Sequence, residues 1–194
     1  MHCSKNIRAT GLRPLNATLA GLVILMLALV VGVVTRPAAA EPGNDNRAPD
    51  VGEYTELNVD AGHKVAFHTY AEGVQIYHWS GTAWDFVGPE AVLYAEEHAE
   101  SIVGIHYAGP TWASTSGSKV VGTVAERATV DADSIPWLKL TAKGQGAGIF
   151  ADITFIQRVN TVGGKAPAAA GEFVGQQVRV PYAADYYFYR KAKK

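Results

Sequence analysis

The stretch KVAFHTYAEGVQIYHW, Lys64–Trp79, decides the fold, because its apolar and polar residues alternate with the period of two that β-strands show. Glu72 and Gly73 interrupt the alternation and predict a tight turn, with Gly73 at a position that needs positive φ. The two arms then form an antiparallel hairpin in which Phe67 pairs with His78. The other predicted pairs are Thr69 with Ile76 and His68 with Tyr77.

The two faces of this predicted hairpin differ in chemistry. One face is apolar and is expected to join the core; its residues are Val65, Phe67, Val74 and Ile76. The other face is polar and aromatic, a combination on which planar ligands stack. Its residues are His68, Tyr70, Gln75, Tyr77 and Trp79.

Short apolar runs, broken by turn residues every 8–12 positions or so, continue to the end of the chain and predict further strands. They predict one all-β domain over residues 53–190, a sandwich or distorted barrel of about ten short antiparallel strands. A Gly-Pro corner at Gly109, a hairpin at Ser116-Gly117 and a loop at Asp131–Pro136 separate some of these strands. The remaining predicted strands are Ala83–Val87 (ended by Pro89), Ala91–Tyr94, Ser101–Tyr107, Trp137–Ala142, Phe150–Val159, Val178–Val180 and Asp185–Tyr189.

Residues 1–40 have the pattern of a secretory signal peptide. Basic residues precede the uncharged stretch Ala17–Val34, which is expected to be an apolar helix, and Ala38-Ala39-Ala40 offers a cleavage site before Glu41. The alternative is an uncleaved membrane anchor. In either case the domain lies outside the cytoplasmic membrane, so the protein is expected to be secreted or extracytoplasmic. Residues 41–52 are interpreted as a disordered lead-in and residues 191–194 as a basic tail.

Charge and cysteine content exclude several function classes. Residues 41–189 carry a net charge of −9, whereas a nucleic-acid-binding protein needs a basic surface. The single cysteine, Cys3, lies in the predicted leader. The mature chain would therefore have no disulfide, no cysteine nucleophile and no thiolate metal site.

Six segments together resemble a family of secreted bacterial and fungal proteins that is catalogued as domain of unknown function 3455. They are GVQIY (73–77), HYAGPTW (106–112), GSKVVG (117–122), IPWL (135–138), IQRVNTVGGKAP (156–167) and VPYAADYYFY (180–189). The resemblance covers Glu53 to Tyr189 and implies an exported single domain with no established activity. It also implies a cysteine after VQIY and another before VPY in many relatives. Here Trp79 and the stretch Ala168–Gly171 occupy those neighbourhoods, so the implied disulfide is absent.

Two segments match enzyme motifs only in part. The run Gly144–Gly148 lacks the glycine spacing of a dinucleotide-binding loop and is followed by a predicted strand rather than a helix. A nicotinamide-dependent dehydrogenase is therefore excluded, although some fungal relatives carry a malate dehydrogenase label. Ser116–Lys119 matches S-x-x-K, but its partner motifs are missing and a turn is the better interpretation.

The leading hypothesis is a non-enzymatic extracytoplasmic module that binds a glycan or another envelope component and needs no cofactor. Its candidate binding residues are His68, Tyr77, Trp79, Trp84, His106, Tyr107 and Trp112. One alternative is a secreted hydrolase or metal-dependent enzyme in which His68 and His106 converge with a carboxylate. Another is a membrane-tethered structural protein. Arg158 is expected to pair with Asp152 or Asp185.

Overall fold

The computed structural model of the protein describes residues 47–97 and 101–193. A 3-10 helix, Thr55–Leu57, precedes eight β-strands. The strands are β1 (His63–Trp79), β2 (Trp84–Tyr94), β3 (Ile102–Tyr107), β4 (Thr111–Ser114), β5 (Lys119–Ala128), β6 (Trp137–Gln145), β7 (Ile153–Gly163) and β8 (Gln177–Lys191). No helix among these residues is long and apolar enough to cross a membrane.

The eight strands form one closed antiparallel barrel in which every strand pairs with its neighbours in sequence. The last strand closes the barrel: β8 pairs with β1 from His63–Lys191 to His78–Gln177. The all-β prediction is confirmed, and the structure is a barrel rather than a sandwich. Closure leaves no strand edge unpaired, so the inner surface becomes an enclosed compartment.

The predicted hairpin at Glu72-Gly73 is wrong, because β1 runs without a turn from His63 to Trp79. Gly73 lies in mid-strand with no positive φ. A Cβ on Gly73 would overlap the carbonyl oxygen of Glu90 and the Ala91 Cα on the neighbouring strand. Close approach of β2, rather than a turn, therefore requires glycine here.

About ten strands were predicted and eight are observed, because three strands, β1, β2 and β8, continue through predicted breaks. The β2 strand continues through Pro89, and β8 continues through Pro181, where the sequence indicated breaks. Each of these strands was predicted as two. The predicted turn at Glu96–Ala99 lies partly outside the described residues.

The unbroken β1 strand reverses the predicted faces of its second half. Phe67 joins the core inside the barrel. Because alternation continues through Gly73, Gln75 and Tyr77 also face inward and line the interior. Val74 and Ile76, which were predicted to be core residues, then belong to the outer face, where Ile76 is nevertheless buried at 8% exposure.

Aromatic and aliphatic side chains fill one end of the barrel. Phe67 stacks on Phe188 with ring centroids 4.7 Å apart, and Phe150 packs against both rings. Leu93 and Ile156 are fully buried in the same cluster. Each such side chain stabilises the fold by about 1.5–3 kcal/mol through burial of apolar surface.

A second, smaller cluster lies on the outer face of the barrel. Val51 and Leu57 pack there with Ala128 and Val159, and Gln157 Nε2 donates to the Leu57 carbonyl at 2.7 Å. Val51, within the segment 41–52 that was predicted to be a disordered lead-in, therefore packs against the barrel. The predicted signal peptide, the apolar helix and residues 41–46 lie outside the described residues.

Candidate functional site

The end of the barrel opposite the phenylalanine cluster contains a cavity of about 470 Å³. Every strand contributes to its wall, together with the β3–β4 turn at 108–110 and the loop before β6. This volume falls within the range of small-molecule sites. The lining residues are Gln75, Tyr77, Phe86, Val87, Gly88, Pro89, His106, Ala108, Gly109, Pro110, Trp112, Val124, Arg127, Ile135, Pro136, Leu138, Leu140, Arg158 and Tyr186.

His106 and Trp112 form a stacked pair in this wall. Their ring centroids are 4.1 Å apart and their planes differ by 9°. His106 is 3% exposed, and its Nδ1 donates a hydrogen bond of 2.9 Å to the Thr111 carbonyl. Burial lowers the pKa of His106 to about 3, despite the opposing effect of that hydrogen bond. The imidazole is therefore neutral at physiological pH, with Nε2 as its acceptor nitrogen.

Gly122 on β5 provides the space for the Trp112 ring. A Cβ at this position would lie 3.0 Å from Trp112 Cζ3 and 3.0 Å from Leu140 Cδ2. The small residue lets the indole lie flat against the barrel wall and reach full burial at 1% exposure.

Three lining residues carry a buried polar group with no hydrogen-bond partner in the described part of the chain. They are Gln75 at Nε2, Trp112 at Nε1 and Tyr186 at Oη. Such groups cost about 1–3 kcal/mol each when they stay unsatisfied. The three atoms have almost no accessible surface, so a ligand or water in the cavity reaches them only when their side chains rotate.

Among the described residues that line this cavity, only arginines carry a formal charge. Arg158 donates from Nε and Nη2 to the Pro136 carbonyl, at 3.1 and 2.8 Å. The expected pairing with Asp152 or Asp185 is wrong, because Asp185 instead accepts a 2.7 Å hydrogen bond from Asn160 Nδ2. Asp152 is exposed and lies away from this cavity. It directly precedes β7 and lies near residues 142–144 of β6.

Tyr77 connects the cavity wall to the end of β7. Its hydroxyl donates to the Gly164 carbonyl at 2.7 Å in a buried position. Burial raises the pKa of Tyr77, and the nearby Arg158 opposes that rise. The phenol is thus a fixed, neutral part of the wall.

The seven candidate binding residues do not share one wall. Tyr77, His106 and Trp112 line the cavity. His68 and Tyr107 do not line it. His68 stacks on Tyr187, which by strand alternation faces away from Tyr186, and Tyr107 alternates with the inward-facing His106.

The remaining two candidates, Trp79 and Trp84, hold the β7–β8 connection, residues 164–176. Trp84 Nε1 donates to the Ala169 carbonyl at 2.8 Å. Trp79 lies so close to Gly171 that a Cβ there would be 2.5 Å from Trp79 Cγ. Both indoles are half-buried, and each contacts this connection.

The predicted convergence of His68 and His106 is wrong, because the two imidazoles lie on opposite faces of the barrel wall. His68 Nε2 is buried without a partner between Tyr70 and Tyr187 on the outside. Within residues 47–97 and 101–193, no three His, Cys, Asp or Glu side chains are grouped closely enough to hold a metal ion.

Sequence reasoning missed the cavity role of Gln75, Arg158 and Tyr186. Tyr186 was within reach, since the alternating run Tyr186–Tyr189 predicts that Tyr186 and Phe188 share a face, and both are buried inside the barrel. Gln75 was assigned to one polar face with His68 and Tyr70, but Gln75 lines the interior whereas His68 lies outside the barrel. Nothing in the sequence around Arg158 indicates a cavity.

Comparison with known proteins gives a family but no described function. No curated protein and no solved structure matches the chain. Residues 60–190 match the sequence profile of a family described as "Protein of unknown function (DUF3455)". That match covers more than half of the chain and agrees with the resemblance found from its six segments, so this protein belongs to the DUF3455 family.

Proposed function

We propose that this protein is an exported, non-enzymatic binding module that takes one small molecule, a glycan fragment or another envelope component, into the interior of its barrel. The observation that carries the proposal is the cavity of about 470 Å³, whose largely apolar wall includes polar side chains from several strands. Eight-stranded barrels have an interior wide enough for one small ligand.

The wall has the composition of a binding site. Apolar and aromatic side chains cover most of it, and a few polar groups converge from different strands. The described lining residues include no Ser, Thr, Cys, Lys, Asp or Glu. The wall therefore offers no serine, threonine or cysteine nucleophile and no carboxylate for acid–base chemistry, which favours binding over catalysis.

Export rests on the leader, residues 1–40, and on no feature of the barrel. Mass spectrometry of the protein recovered from the producing cell tests it. A chain that begins at Glu41, found outside the cytoplasmic membrane, supports the proposal. A chain that retains residues 1–40 in the membrane would favour the tethered structural protein instead.

Calorimetric titration with mono- and disaccharides and with soluble cell-wall fragments tests ligand binding. Val124 lies at the rim of the cavity and is 38% exposed, so Val124→Trp fills the opening with little strain. Val162→Trp is the matched control, because Val162 is 66% exposed and does not line the cavity. We expect Val124→Trp to abolish binding and Val162→Trp to preserve it. Equal binding by both variants, or no binding of any compound by the native protein, would contradict the proposal.

A further inference from the structure

Resting on the proposed function, we infer that the cavity selects an organic anion: a carboxylate on an apolar ring, held at its acidic end by Arg158. The inference concerns which envelope component binds in the cavity. It follows from three properties of the wall: its positive charge, its hydrogen-bond donors and its apolar side chains.

The charge of the cavity is one-sided. Arg127 and Arg158 line it, and none of the described lining residues is acidic. This contrasts with residues 41–189, which hold 18 acidic and 9 basic residues. Two of those nine basic side chains thus stand at one cavity, with no carboxylate there to neutralise them. Such a site attracts an anion and repels a cation.

Arg158 has donors left for a ligand. Its Nε and Nη2 both donate to one acceptor, the Pro136 carbonyl, which fixes the guanidinium plane. The remaining N–H groups of the guanidinium have no partner in the described part of the chain. A fixed arginine with free donors is the geometry that recognises carboxylates.

The charge of Arg158 acts across the cavity. It contributes, after burial, to the low pKa of His106 and opposes the burial-driven rise in the pKa of Tyr77. Arg158 is half-buried, and all three residues line the cavity.

The buried polar groups without a partner are hydrogen-bond donors, and an anion needs donors. Gln75 Nε2 and Trp112 Nε1 are donors only, and Tyr186 Oη can donate. The three residues are 1–2% exposed. In the conformation described these atoms have almost no accessible surface, so a carboxylate in the cavity accepts from them only when their side chains rotate towards it.

The rest of the wall fits an apolar body. Pro89, Leu138 and Leu140 line the interior, and Phe86 and Val87 stand at the rim with exposures of 56% and 46%. Exposed apolar side chains around a cavity mark a site for apolar ligands. An acidic sugar would supply the same carboxylate, but its hydroxyl groups would face these carbon surfaces unpaired.

Calorimetry on the native protein with four probes of one shape tests the inference. The probes are 2-naphthoate, 2-naphthamide, 2-naphthalenemethanol and 2-naphthylmethylammonium, with galacturonate as the acidic-sugar arm. We expect 2-naphthoate to bind at least about tenfold more tightly than the amide and the alcohol, and the ammonium probe most weakly. Equal affinities for carboxylate and amide would overturn anion selection and leave the binding function intact. Tighter binding of galacturonate than of 2-naphthoate would overturn the apolar body, and failure of every probe and every saccharide would contradict the proposed function itself.

Three variants at two arginines test whether Arg158 supplies the charge. Arg158→Met is expected to lower the affinity for 2-naphthoate by about tenfold or more and to change that for 2-naphthamide little. Arg158→Lys keeps the charge and loses the planar fork, so an intermediate loss is expected and the variant serves if Arg158→Met fails to fold. Arg179→Gln is the control, because Arg179 is exposed and pairs with Glu90 away from the cavity. An undiminished affinity in both Arg158 variants would overturn the assignment.

Discussion

The imidazole of His106 lies face to face with the indole of Trp112 inside the barrel, at 4.1 Å between ring centroids and 9° between planes. The two residues are directly paired across β3 and β4. Tyr186 meets both rings edge-on from β8, at 5.2 and 5.3 Å. One neutral aromatic unit thus joins three strands and forms a wall of the cavity.

The depressed pKa of His106 makes stability depend on pH. The folded protein binds the proton only near pH 3, whereas an unfolded histidine binds it near 6.5. Between these values the unfolded state holds more protons, so this contribution to the free energy of unfolding is complete above 6.5 and is lost as the pH falls towards 3. The slope approaches about 1.4 kcal/mol per pH unit.

Urea unfolding between about pH 7 and pH 5 measures that slope. His106→Gln should be less stable at neutral pH but should show a shallower slope, by about one proton. Val162→Thr is the control, since Val162 is 66% exposed and does not titrate, and it should keep the slope of the native protein. The prediction is wrong if His106→Gln and the native protein lose stability in parallel.

Gly73→Ala should destabilise the barrel by more than about 2 kcal/mol. The added Cβ would overlap the Glu90 carbonyl oxygen, so β1 and β2 must separate. Thermal or urea unfolding measures the loss. Glu72→Ala, at the exposed neighbouring position, is expected to change stability by less than about 0.5 kcal/mol. Similar stabilities for the two variants would show that the strands accommodate the methyl group.

The sequence predicted the central part of the fold because the signals there are local. The hairpin at Ser116-Gly117 is confirmed, and Gly117 has a φ of 93°, which only glycine adopts without strain. The loop at Asp131–Pro136 is confirmed, with Ser134 Oγ bound to Asp131 Oδ2 at 2.6 Å. Turn chemistry of this kind depends on a few adjacent residues.

The long strands could not be predicted because their cause is non-local. Gly73, Pro89 and Pro181 are all breaking residues by local propensity. Closure of the barrel brings them together: Pro89 pairs with Gln75 and Pro181 with Val74 on either side of β1. Because β1 is continuous, the side chains of Gln75 and Tyr77 point into the barrel. The wrongly predicted turn at Gly73 therefore also gave a wrong position for these two cavity residues. Arg158 likewise found its partner, Pro136, through the barrel rather than through a neighbouring charge.

Tyr77→Phe should destabilise the protein by about 1–3 kcal/mol, because it removes the donor to the Gly164 carbonyl in a buried position. The ring itself stays in place, so the cavity wall keeps its shape. Urea unfolding measures the change. Tyr107→Phe is the matched control on the outer face, where Tyr107 is 37% exposed, and little change is expected. If Tyr77→Phe is as stable as the native protein, a water molecule has replaced the hydroxyl as the donor to Gly164, and the prediction is wrong.

The hydrogen bond from Trp84 Nε1 to the Ala169 carbonyl holds the β7–β8 connection, which also exposes Phe173 at 63%. Trp84→Phe removes the donor and keeps an aromatic ring, so the connection should open more often. A net loss of about 1 kcal/mol corresponds to about a fivefold faster chymotrypsin cleavage after Phe173, followed by mass spectrometry of the fragments. Trp137→Phe is the control, because Trp137 packs against Tyr54 in the outer cluster and its loss should not favour this site. Equal acceleration after Phe173 in both variants would mean that cleavage follows global unfolding, and that the Trp84 hydrogen bond does not restrain the connection.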